Sequence, residues 1–281
     1  MTAPAAQVYV IEPRRGLPGP ELAELWRYRE LIWFWALRDV RVRYKQTLLG
    51  VGWAVLYPLL AVGVFHLVFA LLLGTQNLPT VSGIPYALST LCAMVAWQLF
   101  ASGLSASGQS LVKNEHLVSK VYFPRMVAPV AALLVALADF AVSFLVLAAA
   151  LFGCGVVPGS AALALPLFAL LALLTALAVG LWLSVIGAIF RDVGFALDRL
   201  IPLWMFATPV VYTREQISAG FAWVYDLNPM TAVVEGFRWA LLGAPAPDLQ
   251  GVSFSVAVVS ALLVGGLFFF RRFEKSVADL V

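Results

Sequence analysis

The sequence predicts an all-α integral membrane protein: six transmembrane helices, an N-terminal amphipathic interface helix, and external re-entrant helices before the last span. Three observations lead there. Of 281 residues, 62% are hydrophobic and only 12% charged, with a mean hydropathy of +0.94, whereas a soluble domain carries roughly 25% charged residues. The charges leave long gaps: 46–112 has none, 126–190 has only Asp139, and 200–213 and 249–270 have none. Lys and Arg gather between these gaps. Such a composition excludes a disordered, collagen-like or nucleic-acid-binding chain, and it leaves too little charge to cover a large soluble domain.

A helix needs about 20 apolar residues to cross the hydrocarbon core. The first gap holds two, at about 51–73 and 84–106, separated by the turn-rich GTQNLPTVSG. The second holds two more, at about 126–152 and 161–190, separated by GCGVVPGS. The last span lies at about 252–270, stopped by Arg271 and Arg272.

Basic residues mark cytoplasmic segments. With the N-terminus inside and six spans, 16 of the 18 basic residues fall inside and only Arg214 and Arg238 outside. That count requires a crossing at about 199–213, although its uncharged part is short and carries Pro202 and Pro209. The expectation is a short or bent fifth helix. The stretch 214–246 alternates polar and aromatic positions and predicts one or two helices lying in or dipping into the outer interface. Non-helical backbone at that depth must be buried in protein or line a wet cavity.

Residues 21–48 form the basic helix. Leu22, Leu25, Trp26, Trp33, Ala36, Leu37, Val40 and Tyr44 share one face, and Arg27, Arg38, Arg41 and Lys45 another. Trp- and Arg-rich helices of this kind rest at headgroup level. Residues 1–20 form an extension without a signal-peptide pattern, 49–272 the transmembrane domain, and 273–281 a cytoplasmic tail. Cys92 and Cys154 read as buried thiols without metal or redox spacing.

The chemistry inventory is sparse. No Gly is followed by Lys, so the chain has no P-loop for ATP phosphates. No HExxH, GxSxG or Cys/His cluster is present, which argues against an enzyme and against a resident metal or cofactor. Asp139 is the single carboxylate within a predicted span. An intramembrane acid costs a few kcal/mol unless it meets a partner or a cavity.

The segment RDVRVRYKQTLLGVGWAVLYPLL, positions 38–60, resembles the opening of permease subunits of type-2 ABC exporters, in the branch that exports O-antigen, teichoic acid and capsular polysaccharides. NEHLVSKVYFPRMVAPV (114–130), NPMTAVVEGFRWALLG (228–243) and FEKSVADLV (273–281) agree with that branch in the same order. The resemblance implies a homodimer with two copies of a separate ATPase subunit, which would hold the ATP and Mg. It implies a coupling helix over Asn114, Glu115, His116, Leu117, Val118, Ser119, Lys120 and Tyr122. It also implies a bacterial inner-membrane location, with both termini cytoplasmic.

The substrate implied is a lipid-linked glycan, on undecaprenyl diphosphate. Arg38, Arg41, Arg43 and Lys45 would meet its phosphates at the entrance. Sugars slide over aromatic faces, which makes Trp53, Tyr57, Trp97, Phe100, Trp204 and Tyr212 the channel candidates. Two alternatives stay open at this stage: a type-2 exporter of another lipid or drug, and an ion-coupled transporter. The latter calls for paired intramembrane charges.

Overall fold

The computed structural model describes residues 22–45, 52–74, 83–120, 123–216, 220 and 222–280. Among these, the regular elements are helices. The basic segment forms α1 (Leu22–Arg27) and α2 (Arg29–Lys45). Then follow α3 (Gly52–Leu73), α4 (Tyr86–Gly108), α5 (Ser110–Lys113), α6 (Glu115–Lys120), α7 (Val127–Gly153) and α8 (Leu165–Ile189). The chain ends with α9 (Asp192–Phe206), α10 (Ala222–Asp226), α11 (Pro229–Leu242) and α12 (Leu249–Leu280). Short 3-10 turns occupy Ser160–Ala164 and Arg214–Gln216.

Among the described residues, five helices are long and apolar enough to cross a membrane: α3, α4, α7, α8 with its 3-10 lead, and α12. The chain is a multi-pass membrane protein. α4 is the hub, enclosed by α3, α7, α8 and α11. In hydrocarbon the hydrophobic effect does not drive helices together, so small residues that permit close approach must. They are present. A Cβ on Gly103 would lie 3.2 Å from both Ala176 and Leu133, and one on Gly180 would lie 2.5 Å from Ser107 Oγ. On the far side of α8, the Trp182 indole packs over Gly265 and Gly266 of α12 and donates from Nε1 to the Leu262 carbonyl at 3.0 Å.

Several boundaries differ from the sequence expectation. The short fifth segment begins at Asp192 and its helix ends at Phe206, leaving 207–213 non-helical. Asp192 sits in the first turn, where an acid suits the helix dipole, so the helix starts inside the charged linker. At 15 residues, α9 falls short of the five long spans. Its connections nevertheless reach both ends of α4. Gln109 Nε2, beside the C-terminus of α4, donates to Asp198 Oδ1 at 3.5 Å, and the hydroxyl of Tyr86, at its N-terminus, donates to the Val211 carbonyl at 2.8 Å.

The last span and tail are one continuous helix, because Arg271 and Arg272 stop the membrane segment without stopping the helix. Cys92 is fully buried, whereas Cys154, just beyond α7, is exposed. The expectation of two buried thiols therefore fails at Cys154, which lies past the apolar segment in the turn.

The basic helix also departs from its predicted faces. Trp33, which the helical wheel puts on the apolar face, is 57% exposed, whereas Trp35, outside that face, is 6% exposed. Ile32, Trp35 and Ala36 are the buried side. Trp35 meets Phe123 edge-on at 5.3 Å, within a cluster that includes Met126, Val127 and Phe270. The helix is apolar on more than one side, and at a membrane surface apolar side chains have two destinations, protein and lipid. Periodicity cannot tell these apart.

Among the described residues, the 214–246 stretch holds two helices, α10 and α11. α10 and the Arg214–Gln216 turn are short, but α11 is buried along nearly its whole length against α4 and α8. Gly236 explains the depth: the Phe168 ring of α8 packs so closely that a Cβ there would lie 2.3 Å from it.

Candidate functional site

A cavity of about 640 Å³ opens between α2, α3, α4, α7 and α9. α4 supplies its polar wall with Gln98, Ser102, Ser105 and Gln109, spaced four, three and four apart and therefore on one helix face. Ser102 Oγ bonds back to the Gln98 carbonyl at 2.7 Å, and Gln109 Nε2 donates to Ser105 Oγ at 3.1 Å. These local bonds let hydroxyl and amide groups sit within an uncharged helix without stranding a donor. Tyr57 and Trp97 add aromatic surface, and Ala128, Ala132 and Val135 of α7 keep the opposite wall small. Two cations, Arg43 and Lys113, and two anions, Asp39 and Asp198, line the same space.

Asp139 lies one turn beyond Val135 on α7 and is not among the residues that line the cavity. Its carboxylate is largely buried, accepts a hydrogen bond from Tyr44 at Oδ1 and pairs with Arg43 at Oδ2. Both partners come from the C-terminal turn of α2, while Trp35 anchors the same helix near the start of α7. The basic helix therefore runs along the first half of α7 and delivers Arg43, a cation of its last turn, to the buried acid. Burial and, after it, the bond to Asp139 push the Tyr44 phenol above its ordinary value, so it keeps its proton and serves as donor.

The four predicted phosphate contacts divide. Arg43 pairs with Asp139, and Arg38 pairs with Asp39 at 2.8 Å, donates to Asn114 Oδ1 at 3.1 Å and stacks over Trp35. Arg41 and Lys45 are exposed. Of the channel candidates, Tyr57 and Trp97 line the cavity. Phe100 is fully enclosed between Trp97 and Trp204, with ring centroids 5.1 and 5.0 Å away. Tyr212 donates to the Phe206 carbonyl at 2.7 Å and its hydroxyl bonds that of Tyr225 at 2.9 Å. Trp53, at the start of α3, is 56% exposed and does not line the cavity.

The predicted coupling segment holds α6. Its position is braced from two sides: Arg38 of α2 bonds Asn114, and Glu274 of α12 accepts from the Arg125 backbone N–H at 2.9 Å. Leu117 packs toward the Trp35–Phe123 cluster. His116 faces solvent and lies 3.9 Å from Glu115, and Lys120 is exposed. Val118 and Ser119 lie on the same helix, and Tyr122 falls outside the described residues.

Three functional features escaped the sequence reading. The polar stripe on α4 was findable, because four polar residues on one face of an uncharged span form a periodic signal. Asn228 and Arg238 were not, since their partners lie in and around the non-helical stretch after α9 and are backbone atoms for Arg238 and a mixture of backbone and side-chain atoms for Asn228. Asn228 accepts from Met230 N–H and Trp204 Nε1 and donates to the Ala207 carbonyl and Thr208 Oγ1 at 3.1 and 2.8 Å. Arg238 donates from Nη1 to the Pro209 and Tyr212 carbonyls and from Nη2 to that of Val210. The non-helical backbone after α9 is thus satisfied from α11.

The sequence model of the ABC-2 type transporter family matches residues 30–242. The chain is similar to an O-antigen export system permease protein RfbA from Klebsiella pneumoniae, 26% identical over 245 residues, which are 87% of this chain and 92% of the relative. It is similar also to an O-antigen export system permease protein RfbA from Myxococcus xanthus, 27% identical over 260 residues, 92% of this chain and 98% of the relative.

Proposed function

The chain belongs to the ABC-2 type transporter family, and from that premise we propose that it is the membrane-spanning permease of an ATP-driven polysaccharide exporter. It passes a lipid-linked, O-antigen-like glycan outward across a bacterial inner membrane. The observation that carries this reading is the near-full-length likeness to two permeases named for O-antigen export. The cavity adds chemistry that suits such a cargo. Aromatic faces offer a glycan apolar contact, and the α4 stripe offers hydroxyl and amide partners that exchange with water at little cost.

In this reading α9 and the backbone to Val211 make the fifth crossing in chain order and bring the total to six. Its support is the pair of contacts at opposite ends of α4, through Asp198 and Val211. Six crossings return the C-terminus to the side of the N-terminus, the cytoplasmic side by the distribution of basic residues. The permease acts as a homodimer with two ATPase subunits, which hold ATP and Mg. The α6 segment is the transmission between them. Its bracing to α2 and α12 supports that role, because a lever must move what it is attached to. Diphosphate on the lipid carrier meets the cations of α2.

The test is ATP turnover by the purified permease with the ATPase of the adjacent reading frame, with and without Glu115→Arg plus His116→Glu, together with surface polysaccharide in cells carrying that change. Loss of stimulated turnover and of surface polymer, with the dimer intact, is the expected result. Unchanged export removes the coupling role from α6.

A further inference from the structure

We propose that Asp139 is an internal counter-ion that competes with the lipid phosphate for Arg43, so that the headgroup binds by exchange and leaves by recapture. The proposal rests on the exporter reading above. It concerns a positioning residue and the pair Arg43–Tyr44, which it singles out from the other cations of α2.

Three observations carry it. Arg43 is the member of the basic helix that both lines the cavity and pairs with a carboxylate there, and its side chain is 43% exposed against 15% for Asp139. The cation thus lines the cavity, while the acid, one turn along α7 from the lining residues, is the more buried partner. Tyr44 donates to the other carboxylate oxygen, so Asp139 keeps a donor when Arg43 turns away. The remaining cavity charges, Lys113 against Asp39 and Asp198, sum to one net negative, and a released Arg43 brings the lining to neutral, so its guanidinium is the local attraction that an entering anion meets.

A phosphate offers Arg43 what Asp139 offers, a planar pair of oxygens for charge-assisted hydrogen bonds, with more negative charge. A transport site must also let its cargo go, since binding too tight to reverse stops conduction. A carboxylate poised to retake the guanidinium serves that need. Arg41 and Lys45, exposed and away from the cavity wall, cannot be recaptured by Asp139 in this way.

The experiment is a native mass-spectrometry titration of the full chain with polyprenyl phosphate, with the matching polyprenol, and with inorganic pyrophosphate as competitor. Asp139→Asn should tighten polyprenyl phosphate binding about tenfold, the worth of one released charge-assisted contact, and leave polyprenol binding unchanged. Asp139→Glu should keep the wild-type affinity, and Arg43→Gln should abolish the difference between phosphate and alcohol. A purely structural pair gives the opposite sign, since Asp139→Asn then weakens both lipids. That result, or an unchanged affinity, overturns the exchange. Equal competition by inorganic pyrophosphate overturns the lipid as the source of the anion. If the wild type does not distinguish phosphate from alcohol, the lipid-phosphate reading beneath the proposal fails instead.

Discussion

Arg238 of α11 donates from Nη2 to the carbonyl of Val210 at 2.7 Å, well inside the protein, and so ties α11 to the non-helical backbone that follows α9. Two more carbonyls, of Pro209 and Tyr212, share the same guanidinium. A planar fork fits three diverging acceptors; an ammonium does not. Arg238→Lys should therefore leave at least one carbonyl unpaired, at a cost of about 2 kcal/mol. A lower melting temperature in detergent, with normal membrane insertion, is the expected reading. An unchanged melting temperature means that the loop finds its partners elsewhere.

Gly236 carries the depth of α11. The Phe168 ring occupies the space of a side chain there, and it cannot retreat freely because it also meets Trp239 edge-on at 6.3 Å. Gly236→Ala should destabilise the fold by about 1–3 kcal/mol, the usual penalty for overpacking. Phe168→Leu in the same chain should recover most of the loss. Thermal melts of the single and double variants decide it, and additivity in place of rescue separates the two residues.

The long apolar spans were legible because charge gaps and the hydrocarbon thickness obey the same arithmetic, as at α7, expected to begin at 126 and observed from Val127. The basic helix was legible as an element, but not in its orientation. Trp33 and Trp35 are chemically alike, and only the presence of Phe123 opposite one of them decides which is buried. Asp139 stood out as a lone intramembrane acid. Its partners did not, because Arg43 and Tyr44 lie 96 and 95 residues away and belong to a helix that the pattern placed at the surface. Backbone-directed side chains such as Arg238 leave no periodic trace at all.

Orientation can be read from the wild-type protein. Cys154 is exposed in the turn after α7, and Cys92 is enclosed in α4. With the N-terminus inside, α7 runs outward and Cys154 faces the periplasm. A membrane-impermeant maleimide should label one thiol in intact spheroplasts, and Cys154→Ser should remove that label. Labelling that requires inverted vesicles reverses the topology and with it the side assigned to α6.

The α4 stripe makes the most direct statement about the path of the cargo. Ser102 and Ser105 face the cavity, and each is small enough to leave its 640 Å³ open. A phenyl ring at position 102 would project from the middle of the polar wall toward Tyr57 and the small residues Ala128 and Ala132. Ser102→Phe should reduce surface polysaccharide severely while leaving the dimer and basal ATP turnover of the complex intact, because the obstruction touches neither α6 nor the helix crossings. Leu72→Phe, on an exposed face of α3, adds the same ring outside the cavity and should change neither. Equal loss in both variants reports a general effect of bulk in the spans. Full export with Ser102→Phe moves the glycan path away from α4.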